Sequence, residues 1–149
     1  MDDTIDTILA RAAARGREAG SAYAGEVTPA EAWRLVELGA ARLVDVRSAA
    51  EWSFVGMPPS ATGIEFRTWP GMQPNPAFAG QLEAAVAKDL PVLFLCRSGV
   101  RSVAAATLAA GLGYQAYNIL DGFEGPLDGQ GQRNRLGGWR VSGLPWRQG

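Results

Sequence analysis

The sequence predicts an α/β domain built on a central parallel sheet with helices on both faces. Three observations carry this expectation. Short β-branched and apolar runs at residues 42–46, 91–95 and 115–120 alternate with segments of helical spacing, the order that yields parallel strands joined by crossover helices. Two capping-box patterns, Thr28-Pro29-Ala30-Glu31 and Ser48-Ala49-Ala50-Glu51, mark helix starts. With 149 residues, 47% of them hydrophobic, the chain suits one domain whose core needs no metal or disulfide staple.

In order along the chain, Ile5, Ile8, Leu9 and Ala12 stand at three- and four-residue spacing, which predicts a short amphipathic helix. The segment 1–22 is therefore an expected helical extension, 23–127 the main domain and 128–149 an irregular extension packed on it. The helix opened by Thr28 takes Trp33, Leu35, Val36 and Leu38 as apolar positions and stops at Gly39. The run 42–46 reads as a buried strand, a brief helix follows Ser48, and Gly56, Pro58 and Pro59 break the chain. Residues 62–66 suit a short strand, and RTWPGMQPNP, dense in turn residues, a surface loop. Phe78, Leu82, Ala85 and Val86 give a helix within 76–88. The run 91–95 is the clearest buried strand, followed by an Ala-rich helix over 102–112 and a strand over 115–120. The Gly-rich tail is expected to fold back through Trp139 and Trp146.

Composition excludes several chemistries. The chain has no histidine, which removes Ser-His-Asp and Cys-His catalysis, imidazole bases and His-containing metal sites. Its single cysteine forms neither an intramolecular disulfide nor a thiolate cage, so a reducing cytoplasm is the expected setting. Fourteen basic and fifteen acidic residues nearly cancel, giving no electrostatic case for nucleic acid or an anionic membrane. No stretch reaches the ~18 apolar residues of a membrane span, and the acidic start lacks the features of a signal peptide. Nothing in the sequence calls for a metal or an organic cofactor.

Any thiol chemistry runs through Cys96, which stands where the strand 91–95 gives way to a helix. In open parallel sheets ligands bind beyond the carboxyl ends of strands. Arg97, Ser98, Gly99, Val100 and Arg101 then lead into a helix N-terminus, where unpaired N–H groups and the positive dipole end favour an anion. Such a setting favours thiolate over thiol. A lone cysteine at a strand end is most often a small buried hydrophobe. Here that account must also explain Cys-x-x-Gly-x-Arg-Ser, with two arginines where apolar packing belongs.

The segment LVDVRSAAEW, the loop CRSGVRS after PVLFL, and GYQAYNILDGFEG, in this order over roughly residues 23 to 127, resemble the rhodanese (thiosulfate sulfurtransferase) homology domain. The resemblance implies that Cys96 accepts a sulfane sulfur and that the amides of residues 97 to 101 cradle the resulting persulfide, with the Arg101 guanidinium as a fixed charge. It places Asp45 and Arg47 near the active-site face. Asp45 is expected to orient loop groups, and Arg47 to pair with Glu51 or attract the anionic donor; Asp45, Glu51 and Ser102 are expected as structural support. Asp121, Gly122 and Phe123 match the family's closing turn. Where many relatives carry Gly-His-Ile-Pro-Gly-Ala, this chain has Gly56-Met57-Pro58-Pro59-Ser60-Ala61, and the tail from Asp128 runs past the usual domain end.

The resemblance implies a sulfurtransferase moving sulfur from thiosulfate or a similar small anionic donor to cyanide or a thiol, small or protein-borne. A sulfur carrier or interaction module is the alternative, and a cysteine-dependent phosphatase a more distant one. Phosphatase loops place five residues between Cys and Arg, whereas Cys96 and Arg101 enclose four, a tighter fit to sulfur than to a phosphoryl group.

Overall fold

A computed structural model describes residues 2–68 and 71–148. Trp69 and Pro70 of the turn-rich segment lie outside the described residues. Helix α1 (Asp2–Ala19) precedes strand β1 (Gly25–Val27), helix α2 (Pro29–Glu37), strand β2 (Arg42–Asp45), helix α3 (Ala49–Phe54) and strand β3 (Thr62–Gly63). Strands β4 (Arg67–Thr68) and β5 (Gln73–Pro74), helix α4 (Phe78–Ala85), strand β6 (Val92–Leu95), helix α5 (Val100–Gly111) and strand β7 (Ala116–Ile119) complete the order. Five strands pair parallel in the order β1-β7-β6-β2-β3, so β6 is central and ends where the loop CRSGVRS begins.

Both faces of this sheet are covered, which is why its strands read as continuous apolar runs. Alternation decides the sides. Val44, Val92, Phe94 and Cys96 join Phe78 of α4 and Ala105 of α5 in one buried cluster. Leu43, Leu93, Leu95 and Ile119 face the other way, against Ile8 and Ala12 of α1, Leu35 of α2, and Trp139. Cys96 thus continues the period of two and turns toward α5.

Both capping boxes form, with Thr28 accepting from the Glu31 N–H at 3.1 Å and Ser48 from the Glu51 N–H at 3.4 Å. Other boundaries moved. The expected strand over 62–66 shortens to β3, although Ile64 and Phe66 still donate to the carbonyls of Asp45 and Val46. The chain leaves the sheet there to form the small antiparallel pair β4–β5, inside what the sequence presents as loop. Strand β1 has no counterpart in the sequence reading. Its backbone lies against α1 so tightly that a Cβ on Gly25 would stand 2.3 Å from the Ala12 carbonyl oxygen.

Among its described residues the tail makes no helix or strand of its own, yet it is anchored. Trp139 is fully buried, meets the Trp33 ring edge-on at 5.8 Å, and donates through Nε1 to the Pro145 carbonyl at 2.8 Å. Trp146 stands edge-on to Phe123 at 6.2 Å, and Met57 bridges Arg147. No helix among the described residues is long and apolar enough to cross a membrane.

Candidate active site

Cys96 forms the floor of a cleft of about 780 Å³ at the carboxyl end of β6. Gly99 makes the loop possible: with φ at 106° it occupies the left-handed region that a side chain disfavours, and it is the residue before the first turn of α5. This bend points the Gly99 N–H at the Cys96 Sγ, 3.0 Å away. Ser102, in the first turn of α5 and fully buried, places its hydroxyl 3.3 Å from the same sulfur. The sulfur therefore sits among polar donors at a helix N-terminus, where an anion is stabilised.

The loop is held from behind by the turn after β7. Phe123 N–H donates to the Cys96 carbonyl at 2.8 Å and Glu124 N–H to the Arg97 carbonyl at 2.9 Å. Gly122 permits this approach, since a Cβ there would lie 2.5 Å from the Cys96 carbonyl oxygen. The Asp121-Gly122-Phe123 turn, expected as architecture, is thus a clamp on the cysteine loop. Two hydrogen bonds fix the backbone of the loop that carries the Gly99 N–H.

Arg97, Ser98, Val100, Arg101 and Glu51 line the cleft, together with Phe54, Val55 and Ala50 from the α3 region. Arg67 and Met72 reach it from the β4–β5 segment, and Glu124 and Arg133 from beyond β7. The sequence reading assigned none of these seven, Ala50, Phe54, Val55, Arg67, Met72, Glu124 and Arg133, to the site. Only the fold brings them to Cys96, and no local pattern marks them. Phe54 is 80% exposed and Val100 77%, so the rim carries two open apolar side chains beside several arginines. Among the described residues no group of three His, Cys, Asp or Glu stands together as a metal site.

The ion pairs differ from expectation. Glu51 pairs with Arg101, not with Arg47, through two hydrogen bonds of 2.6 and 2.9 Å that join α3 to α5 across the cleft wall. Arg101 is thus a charge already half-committed to a carboxylate. Arg47 is fully buried and stands outside the cleft lining, which corrects its assignment to donor binding. Its guanidinium grips Asp45 at 2.6 to 3.2 Å, donates to the Gly56 carbonyl at 2.6 Å, and lies 4.2 Å over the Phe123 ring. Asp45 also accepts the Arg47 backbone N–H at 3.1 Å. The pair braces the same turn that clamps Cys96.

Burial by itself would raise the Glu51 carboxyl, but the Arg101 hydrogen bonds and charge, with the Ser48 N–H, hold it down from 4.5 to about 2. Because the folded value lies below the unfolded one, this stabilisation is present above about pH 4.5 and disappears as pH falls toward 2. The loss amounts to about 2–3 kcal/mol. Urea unfolding across that window is expected to show a shallower pH dependence for Glu51→Gln than for the parent. Parallel curves would remove this carboxylate from the account.

The molecule is an α/β domain whose central parallel strand leads directly into a cysteine, with the sulfur facing a helix N-terminus. The chain belongs to the rhodanese-like family: the model of the rhodanese-like domain matches residues 28–126. Protein RP600 of Rickettsia prowazekii is 38% identical over 110 residues, spanning 70% of this chain and 81% of that protein. Thiosulfate sulfurtransferase GlpE of Actinobacillus succinogenes is 30% identical over 121 residues, or 80% of this chain and 87% of its own length. The crystal structure of Rv0390 from M. tuberculosis aligns with a TM-score of 0.78 at 47% identity, covering 85% of this chain and 99% of that one.

Proposed function

We propose that the protein is a sulfurtransferase that carries a sulfane sulfur as a persulfide on Cys96. The observation that carries this reading is the Cys96 sulfur itself, set at the floor of an arginine-lined cleft with the Gly99 N–H at 3.0 Å. The Cys96 thiolate attacks the outer sulfur of thiosulfate, the sulfur–sulfur bond of the donor breaks, and sulfite leaves with the bonding pair. The persulfide keeps one negative charge. The Gly99 N–H is aimed at the sulfur before the reaction begins, so this donor supports the anion without first having to reorient. Cyanide or a thiolate then attacks the outer sulfur, and the departing pair restores the Cys96 thiolate. Family membership and the relative named as a thiosulfate sulfurtransferase support the same reading.

A cleft of about 780 Å³ far exceeds the volume of thiosulfate or cyanide. With Phe54 and Val100 open at its rim, it favours an acceptor of organic size, including a thiol borne on a protein. The lone thiol suits a reducing compartment such as the cytoplasm. Because donor and acceptor meet Cys96 in turn, steady-state thiocyanate formation from thiosulfate and cyanide is expected to be ping-pong, with parallel double-reciprocal lines. Intersecting lines would place both substrates on the protein together and defeat the double-displacement scheme.

A further inference from the structure

Behind Cys96 lies a buried polar pair whose second member, Asn118, has no part in the sulfur transfer described. Ser102 Oγ stands 2.5 Å from Asn118 Oδ1 and 3.3 Å from the Cys96 sulfur. Ser102 is fully buried and Asn118 is 3% exposed, in the middle of β7 where its neighbours Tyr117 and Ile119 are apolar. An amide there costs stability unless it is used. The register explains the contact: Asn118 pairs with Phe94 on β6, and both side chains share the α5 face with Cys96 two residues on. Sulfur, hydroxyl and amide form one line from β6 through α5 to β7.

A serine has one proton to give. While Cys96 is a thiol, its S–H donates to Ser102 Oγ, and the Ser102 hydroxyl donates to Asn118 Oδ1. When the sulfur is an anion, it needs the Ser102 proton, and Ser102 Oγ then needs a donor of its own. An amide offers both an acceptor and a donor from nearly the same shape, so a half-turn of the Asn118 side chain brings its NH₂ group to Ser102. We infer that Asn118 is a positioning residue for the sulfur chemistry: acting through Ser102, it aims a hydroxyl proton at Cys96 whenever the sulfur is anionic. The inference rests on Cys96 being the sulfur carrier. Its charged surroundings are Arg97 and Arg101 on the loop and α5, Glu51 on α3, Arg67 from β4, and Glu124 and Arg133 beyond β7. These are common to every variant below, so their fields cancel in the comparison.

The test is the pH profile of Cys96 alkylation by iodoacetamide, followed by intact mass, in Ser102→Ala, Ser102→Thr, Asn118→Leu and the Ser102→Ala/Asn118→Leu double variant. Ser102→Ala is expected to slow alkylation at neutral pH about tenfold and to move the profile to higher pH, because one charge-assisted hydrogen bond to the thiolate is gone. Ser102→Thr keeps the hydroxyl and is expected to retain the parent profile. Asn118→Leu slows alkylation about threefold in the parent background and not at all once Ser102 is alanine, the signature of one group acting through another. Equal effects in both backgrounds, or an Asn118→Leu profile matching the parent, would overturn the inference. If Asn118→Leu does not fold, the serine pair decides, and a Ser102→Ala rate within twofold of the parent overturns it. Alkylation reads the thiolate directly. A parent protein that alkylates as expected but takes no sulfur from thiosulfate would count against the proposed function, not against this relay.

Discussion

Replacing Cys96 by serine is expected to lower thiosulfate-dependent turnover by at least about a thousandfold while leaving the fold intact. The size of the effect follows from the division of labour in the cleft. In the proposed cycle the loop donors and the Gly99 N–H stabilise an anion, while the sulfur is the group that attacks sulfane sulfur and stores it as a persulfide. A serine hydroxyl at that place keeps an acceptor for the Gly99 N–H and a partner for Ser102, so stability changes little. It has neither the nucleophilicity nor the leaving ability the cycle needs. The check is steady-state sulfite and thiocyanate release beside thermal unfolding of the same preparation. Full turnover by Cys96→Ser would place the chemistry elsewhere.

The second large effect concerns stability. Asp45 and Arg47 are fully buried, and their contact of 2.6 Å is supplemented by the Gly56 carbonyl and the Phe123 ring. Breaking one member of such a pair strands a charge in the interior, which costs about 3–5 kcal/mol, whereas removing both partners costs less than the two single losses combined. For a chain of this length that corresponds to a fall in Tm of about 10 °C. Asp45→Ala and Arg47→Leu are each expected to show it in thermal unfolding, and the double variant to regain part of the loss. Single variants within about 1 kcal/mol of the parent would mean that water reaches the guanidinium. The location gives the pair its meaning. It joins the end of β2, the exit from α3 and the turn after β7, and that turn clamps the Cys96 and Arg97 carbonyls.

The parts of this site legible in the sequence are those written in local patterns. The Ser48 box and the Thr28 box are four-residue signals, and both formed. The run from Val92 to Leu95 had to be a two-sided buried strand, and a glycine three residues after Cys96 had to bend the loop. What stayed illegible depends on register and on distant packing. Nothing near Glu51 says that its partner is Arg101, fifty residues on and facing it from another helix. An arginine two residues after an aspartate reads equally as a pairing charge or a recruiting one until the fold closes Phe123 over it. Asn118 is one polar residue of a short strand, and only the β6–β7 pairing sets it behind the cysteine. Strand β1 escaped because three residues with Glu26 at the centre carry no period, and its identity comes from pairing with β7.

The most direct test of the central claim is the intact mass of the protein after incubation with thiosulfate, before and after reductant, with released sulfite measured in the same sample. The expected result is a gain of one sulfur atom per chain, reversed by reductant, absent from Cys96→Ser and matched by one equivalent of sulfite. Folded protein with a free Cys96 thiol that gains no sulfur and releases no sulfite would contradict it.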